Sequence, residues 1–384
     1  MKNISGKPGL YIHIPFCDTK CGYCDFYSIT NNSLRPSFLP ALLKEIKHYN
    51  SALFKTVPFD TIYLGGGTPS LLEPDELNQI LNILYKRFPI AEDCEITIEV
   101  NPGTINEEKL IFYKSVGINR LSIGIQSFNN EELKMLGRIH DNKQAIHTFK
   151  LARKAGIENI SIDLIYALPD QSIASWNSSL IQGLALMPDH ISAYNLTFEE
   201  GTPFYKQLSA GKLKAQNEDT EIQFYSETMN TLKKNGFIQY EVSSYAKSES
   251  YISRHNYKYW NHTNYLAFGP SAHSYWDGKR WANIRSISKY IKGLTDGMEI
   301  IDFSENIEQD TMIFEKIMLG LRTREGINLK EFKSKFKHSF LDAHAHINKN
   351  LVENGFAIID NDFFKLTPKG MMVCDEILPR FAPN

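Results

Sequence analysis

Three of the chain's five cysteines fall within one short stretch, as Cys17, Cys21 and Cys24 of YIHIPFCDTKCGYCDF. A C-x3-C-x2-C spacing points to metal ligation, because thiolates are soft donors that select iron–sulfur clusters, zinc or Cu(I). A closed zinc site or a fully protein-held cluster takes four ligands, and this loop offers three thiols. Cys94 and Cys374 lie too far along the chain to be natural fourth ligands, and the default for such cysteines is a buried small hydrophobe. Two readings follow. His13, on the strand entering the loop, could complete a Cys3His site and make the chain a zinc-stabilised binding module. A 4Fe-4S cluster on three cysteines would instead keep one iron open to a non-protein ligand, with Ile12, Ile14, Phe16 and Phe26 shielding it from water.

Such a loop needs a rigid scaffold. A strand enters it, and a helix over 38–50, with Ser37 as candidate N-cap, is followed by a buried strand over 59–64. That strand runs into Gly65-Gly66-Gly67-Thr68-Pro69, where glycines let backbone amides approach a charged group. A helix then starts near Pro74, with Asp75 and Glu76 at the positive end of its dipole. Strands over 95–100, 120–124, 161–164 and 190–195 alternate with helices over 107–116 and 176–186 and a helix pair before 161. Six strands with intervening helices predict right-handed βαβ units and a parallel sheet, two units short of a closed barrel. Glu99, Gln126, Asp163 and Thr197 recur at the carboxyl ends of these strands, the rim where parallel α/β folds bind ligands.

Composition sets the bounds. With 384 residues, 42% of them apolar, the chain exceeds one ordinary domain and can bury a large core. Lys and Arg number 42 against 44 Asp and Glu, which leaves no basic footprint for nucleic acid. No apolar run approaches the ~20 residues of a membrane span and no signal-peptide core is present. With cysteines few and clustered, a cytoplasmic protein is expected. From 245 to 281 the chain becomes aromatic: Trp260, Trp276 and Trp281 fall there among tyrosines, with His255, His262 and His273. That composition suits either a plug on the open side of the sheet or the walls of a flat macrocycle with an axial imidazole.

Residues 302–309 are polar and read as a boundary. Helices over 310–322, 329–336 and 340–354, a hairpin around Asp360-Asn361-Asp362 and a closing helix begun by Thr367 and Pro368 predict a mixed α+β, winged-helix-like domain. From 308 to 384 there are 11 Lys and Arg and 11 Asp and Glu, so phosphate binding is not served and a packing or partner-docking role fits better. Three domains are expected: 1–240, an aromatic segment over 241–301, and 302–384.

The cysteine loop resembles the signature of the radical S-adenosylmethionine (SAM) superfamily. With GGGTPS, EVNPG, GIQSF, DLIYALPDQ and HNYKYW, it resembles the coproporphyrinogen oxidase-like branch over nearly the whole chain. That branch contains the oxygen-independent coproporphyrinogen III oxidases (HemN) and the HemW haem chaperones. The resemblance implies a partial (βα)6 barrel of the radical SAM type, SAM chelating the open iron, and radical chemistry that belongs to the cofactor. It implies that Tyr11 and Tyr23 flank SAM and the cluster and that Gly66, Gly67 and Thr68 hold the amino acid end of SAM. Glu99, Gln126, Arg138 and Asp163 are implied to bind the rest of SAM, and His255, in the HNxxYW match, to ligate haem, with His262 and His273 second to it. Phe26 stands where the oxidases carry a fourth cysteine, and the segment before Cys17 is short; both departures point to the chaperone side. The implied function is haem binding and transfer to an unidentified acceptor protein, with an electron donor and without coproporphyrinogen oxidase activity. Oxidative decarboxylation of coproporphyrinogen III is the alternative, and the zinc module the second alternative.

Overall fold

The computed structural model describes residues 6–49 and 53–383. Six parallel strands follow in chain order: β1 (Gly9–Ile14), β2 (Phe59–Gly66), β3 (Ile90–Val100), β4 (Arg120–Gln126), β5 (Asn159–Tyr166) and β6 (His190–Asn195). Each pairs with the next. Parallel strands covered on both faces read as near-continuous apolar runs, and Leu10, Ile12, Ile14, Leu64, Ile98, Ile123 and Ile162 are accordingly buried. Helices Pro74–Arg87, Glu107–Ser115, Asn142–Lys154 and Ile173–Ala185 make the crossovers. Asp141 and Gln144 cap the third of these reciprocally, each side chain accepting from the other's backbone amide.

The first long helix spans Arg35–His48 and is not capped by Ser37. Pro36 occupies its first turn, where a fixed φ suits a helix, after a short turn Asn32–Leu34 capped by Asn31. Its predicted end at 50 lies outside the described residues.

Six further strands extend the sheet: β7 (Ile238–Gln239), β8 (Ser244–Ala246), β9 (Tyr265–Phe268), β10 (His273–Trp276), β11 (Lys279–Asn283) and β12 (Ile301–Asn306). The strand order is β12-β11-β10-β9-β1-β2-β3-β4-β5-β6-β8-β7, with β9 parallel to β1. The aromatic segment is therefore part of the sheet beside β1. The polar stretch expected as a boundary begins as β12. Pairing with β11 satisfies its backbone on one side, while its side chains stay exposed at the sheet edge, so no apolar alternation marks it.

Beyond Gln309–Leu321, a second sheet of β13 (Ile327–Asn328), β14 (Ala357–Asp360) and β15 (Phe363–Leu366), ordered β13-β15-β14, packs with helices around Ile317, Phe332, Phe340, Phe364 and Phe381. The helix expected over 340–354 divides into Phe340–Ala343 and Ala345–Glu353 at His344. Backbone bonds Val242 N–Arg322 O and Arg324 N–Tyr240 O, both 3.0 Å, tie this unit to the large sheet. No helix among the described residues is long and apolar enough to cross a membrane.

Candidate functional site

The cysteine loop leaves the carboxyl end of β1 and is pinned at its base. Cys17 N donates to Ile29 O (3.0 Å) and Ile29 N to Pro15 O (2.7 Å). Gly67 N and Thr68 N donate to Ile14 O (2.8 Å) and Phe16 O (2.7 Å), lashing the glycine turn at the end of β2 to the same base. A side chain at Gly67 is excluded, since a Cβ there would sit 2.6 Å from Phe16 O and 3.0 Å from Cys17 Sγ. Two donors aim at the sulfurs: Thr68 Oγ1 at Cys17 Sγ (3.4 Å) and Arg138 Nη1 at Cys21 Sγ (3.6 Å). Burial pushes the Cys17 thiol up and Cys24 to about 11, so these thiols hold their protons until a cation arrives.

Three soft donors that share one cavity wall, two of them already hydrogen-bonded at sulfur, fit a three-thiolate cluster. They do not converge on a point: no group of three or more His, Cys, Asp or Glu among the described residues could hold a single metal ion. His13 is not free to make a fourth zinc ligand. Its Nε2 lies 2.8 Å from Tyr27 O and its Nδ1 3.1 Å from the Tyr11 hydroxyl, so both ring nitrogens are used. Ile12, Ile14 and Phe16 are buried as expected of a shield, whereas Phe26 is 70% exposed at the cavity rim and shields little.

From the thiols a cavity of about 950 Å³ runs across the strand ends. Tyr11, Tyr23, Gly66, Gly67, Thr68, Glu99, Gln126, Arg138 and Asp163 all line it, so the residues expected around SAM are brought together with the three cysteines. Glu99 accepts from the Tyr63 hydroxyl (2.9 Å) and from Gly66 N (3.1 Å); burial raises its carboxyl to about 7. Asp163 accepts from Ser122 Oγ at 2.9 and 3.1 Å, and burial raises it too. Arg138 is no solvated helix-end cation. Its Nη2 donates to Asn101 Oδ1 and Gly124 O, both 2.8 Å, which aims the guanidinium at the cysteine loop. Gln126 ends β4 in the left-handed region at φ 68°, turning its side chain into the cavity wall. The amides of Gly66, Gly67 and Thr68 are spent on Glu99, Ile14 O and Phe16 O rather than left open to a charged group, so it is the buried carboxylates and one oriented guanidinium that suit a ligand with an amino acid end and a diol.

Tyr63, Asn101 and Ser122 also line the cavity and were missed. Alternation along β2 and β4 could have flagged Tyr63 and Ser122, which lie two residues before Gly65 and Gly124.

The aromatic segment joins the same cavity through Tyr259, Tyr265, Ala272 and His273. His255 does not reach its wall. The ring is 1% exposed, with Nδ1 2.8 Å from Thr61 Oγ1 and Nε2 3.0 Å from the Tyr259 hydroxyl. Burial holds it neutral, well below the usual histidine range. Its helix, Arg254–Trp260, is bolted down from below. Glu95 accepts the amides of Arg254 and His255 at 3.1 Å, and buried Lys258 pairs with Asp60 at 2.6 Å. His262 faces away, its Nε2 3.2 Å from Glu315 and its ring stacked on Tyr275.

Residues 11–180 match the family model of the radical SAM superfamily and residues 307–373 that of the HemN C-terminal domain. The chain is 34% identical to the heme chaperone HemW of Bacillus subtilis, covering 97% of this chain and 98% of that protein. It is 32% identical to the heme chaperone HemW of Escherichia coli, covering 97% of each. Among solved structures, coproporphyrinogen III oxidase (HemN) from Escherichia coli, a radical SAM enzyme, has a TM-score of 0.84 at 25% identity, covering 99% of this chain and 91% of that one.

Proposed function

Since the chain belongs to the HemW haem chaperone family, we propose that it binds haem beside a SAM-ligated 4Fe-4S cluster and passes the haem to an acceptor protein in the cytoplasm. The observation that carries this reading is one cavity shared by the three thiols, the rim carboxylates and the tyrosines of β9 and the helix before it. Cys17, Cys21 and Cys24 would hold the cluster, with Thr68 and Arg138 tuning two of its sulfurs by hydrogen bonds. Tyr11, Tyr23, Gly66, Gly67, Thr68, Glu99, Gln126, Arg138 and Asp163 would hold SAM. The chemistry a bound, reduced cluster would supply there is one-electron reduction of a sulfonium. The protein's own part is to fix SAM against the loop, keep Glu99 and Asp163 aimed into the cavity and exclude water beneath buried Ile12, Ile14 and Phe16.

A second reading, oxidative decarboxylation of coproporphyrinogen III, is favoured by the likeness to HemN along nearly the full chain. An exposed phenylalanine, Phe26, at the position of the oxidases' fourth cysteine weighs against it. One anaerobic experiment separates the two: reconstitute the cluster, add SAM and reductant, and supply haem in one tube and coproporphyrinogen III in another. Tight haem uptake without decarboxylation is expected. Formation of protoporphyrinogen IX would overturn the chaperone reading.

A further inference from the structure

Of the chain's 11 histidines, His13 and His273 line the cavity. His13 has no lone pair to offer a metal. A backbone carbonyl only accepts, so its Nε2 carries the proton donated to Tyr27 O, and its Nδ1 accepts from the Tyr11 hydroxyl. His255 is sealed by Thr61 and Tyr259, and His262 is turned toward Glu315.

His273 differs on each point. It is exposed, opens β10 at the cavity wall, and its ring makes no hydrogen bond among the described residues. Alternation along the strand places His273 and Tyr275 on one face, and Tyr275 pairs with Tyr265 of β9. The Tyr265 ring meets Tyr259 edge-on, centroids 4.8 Å apart, and both line the cavity. A free imidazole thus stands beside a tyrosine wall. Besides Arg138, which is held by Asn101 and Gly124, two cations share that cavity: Lys20, and Arg285, whose guanidinium lies 5.8 Å over the Tyr27 ring.

Resting on the haem-binding reading above, we propose that His273 would ligate haem iron in this cavity and that Arg285 would pair with a haem carboxylate. The bond forms from the lone pair of one ring nitrogen while the other keeps its proton, so no oxidant or reductant is consumed.

The test is a ferric haem titration of the full-length, cluster-reconstituted wild type and of His273→Ala, Arg285→Ala and His255→Gln, read by the Soret band and by electron paramagnetic resonance of the ferric haem. His273→Ala should shift the Soret band and alter the ferric haem resonance from the wild-type position, and bind haem at least about tenfold more weakly, a change of ~1.4 kcal/mol. Its iron and sulfide content should stay at the wild-type value, and added imidazole should restore haem binding. Arg285→Ala should weaken binding without altering the spectrum. A wild-type spectrum in His273→Ala would overturn the assignment, and its loss in His255→Gln at the same time would move the ligand to His255. A wild-type chain that takes up no haem would instead defeat the haem reading, and this assignment with it.

Discussion

Gly66 shows how little freedom single residues have at the glycine turn. Its φ is +113°, and a Cβ there would lie 2.6 Å from the His13 ring, whose nitrogens are both hydrogen-bonded. Gly66→Ala therefore meets backbone strain and a ring that cannot swing away without breaking two bonds. It should lower stability by about 1–3 kcal/mol, measured as a drop in urea midpoint at unchanged slope. The thiols can be tested the same way. Replacing Cys17, Cys21 or Cys24 by Ala should each strip iron and acid-labile sulfide from anaerobically reconstituted protein, because a cluster with three protein ligands has none to spare. An unchanged iron load in any one of the three would remove that residue from the proposed ligand set, and zinc without sulfide in the wild type would restore the zinc-module reading.

At the scale of elements, the helix Arg254–Trp260 sits where it does because of charge buried beneath it. Lys258 and Asp60 are each 1% exposed and 2.6 Å apart. Removing one partner strands the other charge, so Lys258→Met should cost about 3–5 kcal/mol, while Lys258→Met with Asp60→Asn should recover most of it. Urea unfolding of both variants checks the difference. A second strut is Glu45 of the first long helix, which accepts from Gly269 N (2.8 Å), Asn283 Nδ2 (2.6 Å) and the Tyr290 hydroxyl (2.5 Å). It ties that helix to the chain around β9 and β11. Burial raises the Glu45 carboxyl from 4.5 to about 7, outweighing the hydrogen bonds that lower it. A carboxyl raised in the folded state contributes stability that is full below its unfolded value and lost as pH rises through about 7. The margin in urea midpoint of ligand-free wild type over Glu45→Gln should therefore shrink from about pH 5 to about pH 8, whereas buried histidines such as His13, His140 and His255, held below their usual range, push stability the opposite way in both proteins. Glu99 and Glu241, also raised to about 7, contribute in the same direction, so the difference between variant and wild type is the quantity to read.

Over the whole molecule, a large half-open sheet carries the site and a smaller α+β unit with its own apolar cluster is fastened beneath its far edge by Tyr240 and Val242. That unit looks like a winged helix, yet its 11 positive and 11 negative residues from 308 onward give phosphates no basic face. In a gel-shift titration with duplex DNA at about 50 mM salt the full chain should show no complex, and a shift that weakens steeply with added salt would contradict the charge argument.

Part of this was legible in the amino-acid order because the signals are local. Thiol spacing, a triple glycine after an apolar run and polar residues at the ends of buried strands each sit within a few residues, and they located the parallel core and the cysteine, glycine-turn and carboxylate walls of the cavity, though not Tyr63, Asn101 or Ser122. What the order of residues could not decide is which polar group claims which partner. The nitrogens of His255 are consumed by Tyr259 four residues away and by Thr61, 194 residues earlier, while His273, of the same type in the same segment, is left open. Edge strand β12 and the exposed Phe26 were hidden for a related reason: a backbone partner across a sheet, or the lack of a wall over a ring, exists only once distant segments have packed. Residue type and spacing determined the chemistry available to this protein; tertiary packing decided which groups remain free to perform it.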